Sequence, residues 1–206
     1  MTEAETQFAQ SIHGDTLDTQ RIRFVDGALV GSVTFQRQKR PRLACRERIF
    51  PEPKDELVTV GPAAVALHNK IFFTRRYFLT DYMADYPEQI DLYSAMLFAH
   101  EITHIWQWQN RAVTGYTPLR AGREHVNSDD PYLFDISTKT NFLDYGYEQQ
   151  AGIVEEYICC ATLDPKAPRT QRLEQMLRGA FPMSKLAITD NVVLPWDKAE
   201  TRGICR

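Results

Sequence analysis

Two periodicities divide the chain. Between about residues 21 and 74 the apolar positions come in short runs rich in β-branched and aromatic residues, broken by Gly and Pro. Residues 21–25, 28–35, 57–60 and 70–74 read as strands, with Asp26-Gly27 as a hairpin-type turn between the first two. Pro51, Pro53 and Gly61 punctuate the interval before the later strands. From about Pro87 the spacing changes. Ala95, Phe98, Ala99, Ile102, Ile105 and Trp106 recur three and four apart, which predicts a helix running to about Asn110. Glu88 and Asp91 stand in its first turn, where acids favour a helix start. Residues 115–131 are punctuated by Gly and Pro and read as loop. Further helices are expected at 147–161 and 169–179. Residues 1–15 form a loose or helical lead-in. Residues 182–206 read as a tail that packs in patches through Val192, Val193, Leu194 and Trp196. A small, mainly antiparallel sheet followed by a helical half is an α+β arrangement, and 206 residues make one domain.

Composition narrows the classes. Hydrophobic residues at 43% and charged residues at 25% exclude a disordered chain, a collagen-like chain and a rod. A net charge of -3 gives no global signature of nucleic-acid binding. No apolar run reaches the roughly 18 residues of a membrane span. The polar N-terminus lacks the basic and apolar regions of a signal peptide, so the expected site is the cytoplasm, or export by another route. Residues 37–48, RQKRPRLACRER, carry six basic residues and one acid. They read as a solvated loop turning at Pro41, with a polyanion-binding loop as the alternative. Cys45, Cys159, Cys160 and Cys205 have spacings that fit neither a zinc ribbon nor a disulfide framework. Cys159 and Cys160 are expected as buried thiols and Cys205 as a free tail thiol.

The chemistry lies in the first long helix, which contains His100-Glu101-Ile102-Thr103-His104, an HExxH motif. Positions four apart share a helix face, so both imidazoles can bind one metal ion. Glu101, about 100° around the helix, lies beside the metal and suits a base acting on metal-activated water. Zinc (Zn2+) fits these ligands, and a catalytic zinc takes three from the protein. With five His and 13 Glu, the motif arises by chance in about 1% of shuffled chains, and it falls where a periodic helix is expected. The preferred third ligand is Glu148, at the start of the second helix. Ala151, one turn on, lets that helix approach closely. Asp144 and His125 are the alternatives. Glu155 returns to the face of Glu148 and either orients a ligand histidine or belongs to a solvated acid pair with Glu156. Tyr145, Tyr147 and Tyr157 flank the site. Tyr147 is favoured as donor to the oxyanion of a scissile carbonyl, with His125 as the alternative. Residues 70–74 can lie along the cleft and offer a free edge to an extended peptide.

HExxHxxQ from His100 to Gln107, together with Glu148-Gln149-Gln150-Ala151, resembles the zincin metallopeptidases that bacteria encode near Rhs and Vgr proteins, the vgr-related proteins. It is similar, more distantly, to the metallopeptidase-like domain of contractile injection systems. IFFTRRYFLTDY, from Ile71 to Tyr82, fits the segment preceding the motif in that family. The resemblance spans residues 21–157. It implies a zincin fold, Glu148 as third ligand in the gluzincin arrangement, and association with a secretion or Rhs/Vgr-type apparatus. There is one departure. Thermolysin-like gluzincins carry an Asp four residues beyond the ligand Glu, and here that position is Gly152.

The expected function is therefore zinc-dependent hydrolysis of peptide bonds in a peptide or protein substrate, with His100, His104 and Glu148 on zinc and Glu101 as general base. Two other readings use the same residues. One is a metal-stabilised cargo or binding module that cleaves nothing. The other is a zinc amidase acting on cell-wall peptides.

Overall fold

The computed structural model describes residues 1–27, 34–128, 130–138 and 141–206. Seven helices are found among these: α1 (Glu3–His13), α2 (Cys45–Arg48), α3 (Leu92–Gln109), α4 (Arg111–Thr114), α5 (Pro118–Asn127), α6 (Tyr147–Leu163) and α7 (Pro168–Arg178). The strands are β1 (Arg23–Asp26), β2 (Phe35–Gln38), β3 (Leu57–Val60), β4 (Ala64–Leu67), β5 (Lys70–Phe73), β6 (Ile90–Asp91) and β7 (Val192–Val193). The fold is α+β, with most strands ahead of the long helices.

The strands do not make the single, mainly antiparallel sheet that their spacing suggests. They form a three-stranded mixed sheet, β1-β5-β4, and two separate pairs. β1 runs parallel to β5 and β4 antiparallel to it, while β2 pairs with β3. β1 and β2 therefore lie in different sheets and Asp26-Gly27 closes no hairpin between them. Most of the expected strand at 28–35 lies outside the described residues. The hairpin of this region is β4–β5, turning at His68-Asn69 with His68 at φ 56°. β5 is the central strand, so residues 70–74 offer no free edge; the edges of this sheet are β1 and β4, and β4 packs against α3.

The lead-in is a well-formed helix. Thr2 and Glu5 make a reciprocal capping box, and Phe8, Ala9 and Ile12 are buried on α1. α3 starts later than the periodicity suggests because Ile90–Asp91 pair in parallel with Val192–Val193, and the Asp91 side chain then caps the helix by accepting from Ser94 N at 2.8 Å. The tail thus contributes a strand. It also places Leu186, Ile204 and Cys205 in the core cluster that begins at Phe8.

All four cysteines pair, contrary to the free-thiol expectation: Cys45 with Cys159 and Cys160 with Cys205. The reason is helical geometry. Neighbours on α6 point about 100° apart, so Cys159 meets α2 and Cys160 meets the chain end. Partners 114 and 45 residues away leave no local spacing signal. The basic segment is not a solvated loop either. Arg46 is buried, and Arg40 forms a two-bond pair with Asp130 at 2.6 and 2.8 Å.

Candidate metal centre

α3 and α6 pack along each other, and Ala151 at their interface is fully buried. The pairing brings three side chains from two distant segments together. His100 Nε2 lies 3.1 Å from His104 Nε2, and Glu148 Oε2 lies 3.3 Å and 3.4 Å from these two nitrogens. A tetrahedral metal with bonds of about 2.0–2.1 Å holds its ligand atoms about 3.3–3.4 Å apart. The observed triangle has that edge length. All three residues are buried, and Glu148 Oε2 has no hydrogen-bond partner. A buried carboxylate oxygen left open between two imidazole nitrogens is a costly arrangement unless a cation completes it. The donor set therefore fits a zinc-type ion. The Sγ atoms of Cys45, Cys160 and Cys205 also cluster, but their disulfides leave no thiolate to bind a metal.

A hydrogen bond orients one ring and a longer contact backs the other. Gln107 Nε2 donates to Gln150 Oε1 at 2.9 Å and to the Tyr147 carbonyl at 3.0 Å. Its Oε1 is therefore the acceptor facing His104 Nδ1 at 2.9 Å. His104 consequently carries its proton on Nδ1 and presents the Nε2 lone pair to the site. This explains the Gln of HExxHxxQ and the second Gln of the downstream segment. On the other ring, Glu155 Oε1 stands 3.4 Å from His100 Nδ1, while Glu155 Oε2 accepts from Arg46 Nη1 at 2.6 Å. Glu155 thus backs a histidine, and Glu156 is no solvated partner. It is fully buried and accepts from the Cys45 and Arg46 amides and from Arg169.

Gly152 now has a physical account. A Cβ there would stand 3.0 Å from Arg46 Nη1 and 3.2 Å from Phe134. The position is filled by the guanidinium that holds Glu155, so the carboxylate behind His100 comes from one turn further along α6.

Glu148 is positioned from α5 as well. Glu124 accepts from the Tyr147 and Glu148 amides at 3.0 and 3.2 Å, capping the start of α6. His125 Nε2 contacts Glu148 Oε1 at 3.1 Å and is partly exposed. His125 therefore stands at the site, on the carboxylate oxygen that faces away from the histidine pair. Asp144 is exposed and lies outside the three-residue group. Tyr147 directs its hydroxyl to the Thr114 carbonyl at 3.3 Å, Tyr145 donates to the Asp135 carbonyl, and Tyr157 is buried in the core cluster.

Two other tyrosines border the centre and carry no motif. Tyr116 packs near His104, and the Tyr132 ring lies 5.9 Å from that of His100 and 5.8 Å from that of His125. α5, which carries Glu124 and His125, also lay outside the sequence expectation. Its signal was Thr117-Pro118, an N-cap followed by Pro at the first helical position.

Opposing charges meet in this pocket. Burial opposes ionisation of His100, yet Glu155 and Glu148 outweigh it and lift its pKa to about 10. Burial raises Glu148, but His104 and the close approach of His100 and His125 hold it well below the carboxylate range. Glu155 likewise falls to about 2 because His100 and Arg46 overcome its burial. Glu101 is different. Burial lifts it, His100 and His104 only partly oppose this, and its Oε2 has no hydrogen-bond partner. The buried Glu101 and Glu148 and the partly buried Glu155 thus share the pocket with the His100 and His104 imidazoles, a balance of protons that a bound cation would change.

No protein-family model and no curated protein matches the chain. Among solved structures it is similar to the effector domain of Pseudomonas aeruginosa VgrG2b, with a TM-score of 0.53 and 22% identity over 88% of this chain and 82% of that one. At this identity the likeness establishes a common fold.

Proposed function

We propose that this chain is a zinc metallopeptidase of the gluzincin type that works as an effector associated with a Vgr-type secretion apparatus. The observation that carries the enzymatic part is the triangle of His100 Nε2, His104 Nε2 and Glu148 Oε2 at tetrahedral spacing, with the unpartnered Glu101 carboxyl one residue from His100. The likeness to a VgrG2b effector domain supports the effector part. Two disulfides fit an oxidising destination, where such bonds persist. Among the described residues no helix is long and apolar enough to cross a membrane.

Bound zinc would supply a Lewis acid that polarises the scissile carbonyl and brings water within reach of deprotonation near neutral pH. The chain's own groups do the rest. Glu101, with its pKa raised by burial, accepts the proton of the attacking water and returns it to the leaving amine. Gln107 holds the His104 ring by a hydrogen bond, and the Glu155 carboxylate backs His100 at 3.4 Å. His125, partly exposed and seated on Glu148 Oε1, is the polar group beside the site best placed to contact a substrate carbonyl. A non-catalytic module has no use for a buried, unpartnered Glu101, and a structural zinc would favour a fourth protein ligand.

Zinc content measured on wild type, His104→Ala and Glu148→Ala tests the ligand set. One zinc per wild-type chain and its loss in both variants is expected. Full zinc retention in Glu148→Ala would remove Glu148 from the site. Digestion of casein alongside purified peptidoglycan separates a peptidase from a cell-wall amidase.

A further inference from the structure

The basic segment at 37–48 is not used by this chemistry, yet it is the most concentrated positive charge in the chain. Its arginines do not point separately into solvent. Arg37, Arg40, Arg42 and Arg46 line one cavity of about 400 Å³, whose apolar wall includes Phe50 and Tyr93. Lys39 in the same segment turns away to Glu52 and Glu56, and Arg48 donates to the Gly203 and Ile204 carbonyls.

The cavity is under-compensated. Arg40 is matched by Asp130 and Glu47, and Arg46 by Glu155. Among the described residues, Arg42 has backbone partners only, the carbonyls of Glu47, Arg48 and Phe50. Among the described residues, Arg37 donates to the Gln38 carbonyl and to no carboxylate. Two guanidinium groups without an ion-pair partner therefore face the same half-buried space, which Glu47 and Glu155, the partners of Arg40 and Arg46, also line. The Arg46 side chain is more than nine-tenths buried, and its Nε has no hydrogen-bond partner, although Glu47 Oε1 lies 3.2 Å away. Burial and then Arg40 act against the charge of Arg37, and the more distant Asp130 and Glu47 only partly offset them. Guanidinium forks around a concave site with an aromatic wall suit a bidentate oxyanion attached to an apolar body.

We propose that this arginine cavity binds a small diffusible anion, a phosphate-type oxyanion carried on an aromatic or aliphatic group. The site is distinct from the metal centre but adjoins it. Glu155 lines the cavity and contacts His100 at Nδ1, the ring edge opposite the Nε2 that faces Glu148. Tyr132 joins them too, with Arg40 over its ring at 5.0 Å and its carbonyl accepting from Arg46. An occupant would thus sit behind His100, away from a substrate on the metal side.

The test is calorimetric titration of the disulfide-intact chain with phenyl phosphate, inorganic phosphate and phenol. The His104→Ala background separates this site from the metal centre. Wild type and His104→Ala are expected to bind one equivalent of phenyl phosphate, at least tenfold more tightly than inorganic phosphate, with no binding of phenol. Arg37→Gln and Arg42→Gln should each weaken phenyl phosphate about tenfold or more. Arg37→Gln should leave the thermal midpoint unchanged, because it gives up a single backbone contact. Absence of saturable binding to wild type, loss of binding in His104→Ala, or undiminished binding in both arginine variants would overturn the proposal.

Discussion

Reducing the two disulfides should remove much of the protein's stability. The loops they close, 45–159 and 160–205, do not overlap, so each restricts a separate part of the unfolded chain. For sequence separations of 114 and 45, loop-closure entropy gives about 4.8 and about 4.0 kcal/mol at 25 °C. Native disulfides typically deliver about 2–5 kcal/mol each, so the pair should be worth about 4–9 kcal/mol against a total stability of about 5–15 kcal/mol. With a urea m-value near 2–3 kcal/mol/M, the unfolding midpoint should fall by roughly 2–4 M. Tryptophan fluorescence with and without reductant reads this directly, since Trp106 is buried in the core. A thiol titration on the unreduced, unfolded protein should find no free cysteine. Four titratable thiols, or a midpoint indifferent to reductant, would refute the reasoning. The two bridges should also separate in function. Replacing Cys45 and Cys159 by Ser loosens the segment that carries Arg46 to Glu155 and should weaken zinc binding. Replacing Cys160 and Cys205 frees only the chain end and should cost stability alone.

Other consequences are equally specific. Glu155→Gln should lower zinc affinity about 10- to 100-fold in a competition titration with the fold intact, because it leaves His100 without its backing carboxylate. Gly152→Ala should not yield the usual gain of about 1 kcal/mol for Ala over Gly in a helix, because the new Cβ meets Arg46 and Phe134. A full gain in chemical denaturation would contradict that packing. His13 supplies a pH dependence. It is fully buried, stacks on Phe181, and burial depresses its pKa to about 3. Its Nε2 faces Thr103 Oγ1, whose own hydrogen goes to the Ala99 carbonyl, so the neutral ring donates from Nε2 and leaves Nδ1 bare. The unfolded chain takes up this proton near pH 6.5 and the native state does not. The contribution is therefore whole above about pH 6.5 and is lost as pH falls toward 3, at up to about 1.4 kcal/mol per unit. Comparing the pH slope of unfolding free energy between wild type and His13→Gln isolates it, and equal slopes would contradict it.

The long helices were legible because each repeats its apolar positions at helical spacing, and α3 and α6 begin within a few residues of expectation. His100, Glu101 and His104 were legible because their relation is local. Glu148 could be chosen because small Ala151 marks a helix that packs closely. What escaped is non-local. The pairing of β1 with β5 skips over three strands, and the tail supplies β7 to a strand about 100 residues earlier. The cysteine partners, the arginine cavity and the Glu124 cap on α6 likewise join segments with no shared pattern. Tyr132 and Tyr116 reach the site from irregular segments, where no periodicity points to a face.

Peptide hydrolysis and zinc content measured together on Glu101→Gln test the central claim most directly. The account predicts one zinc per chain, as in wild type, and a fall in hydrolysis of at least 100-fold. Wild-type hydrolysis by this variant would contradict it.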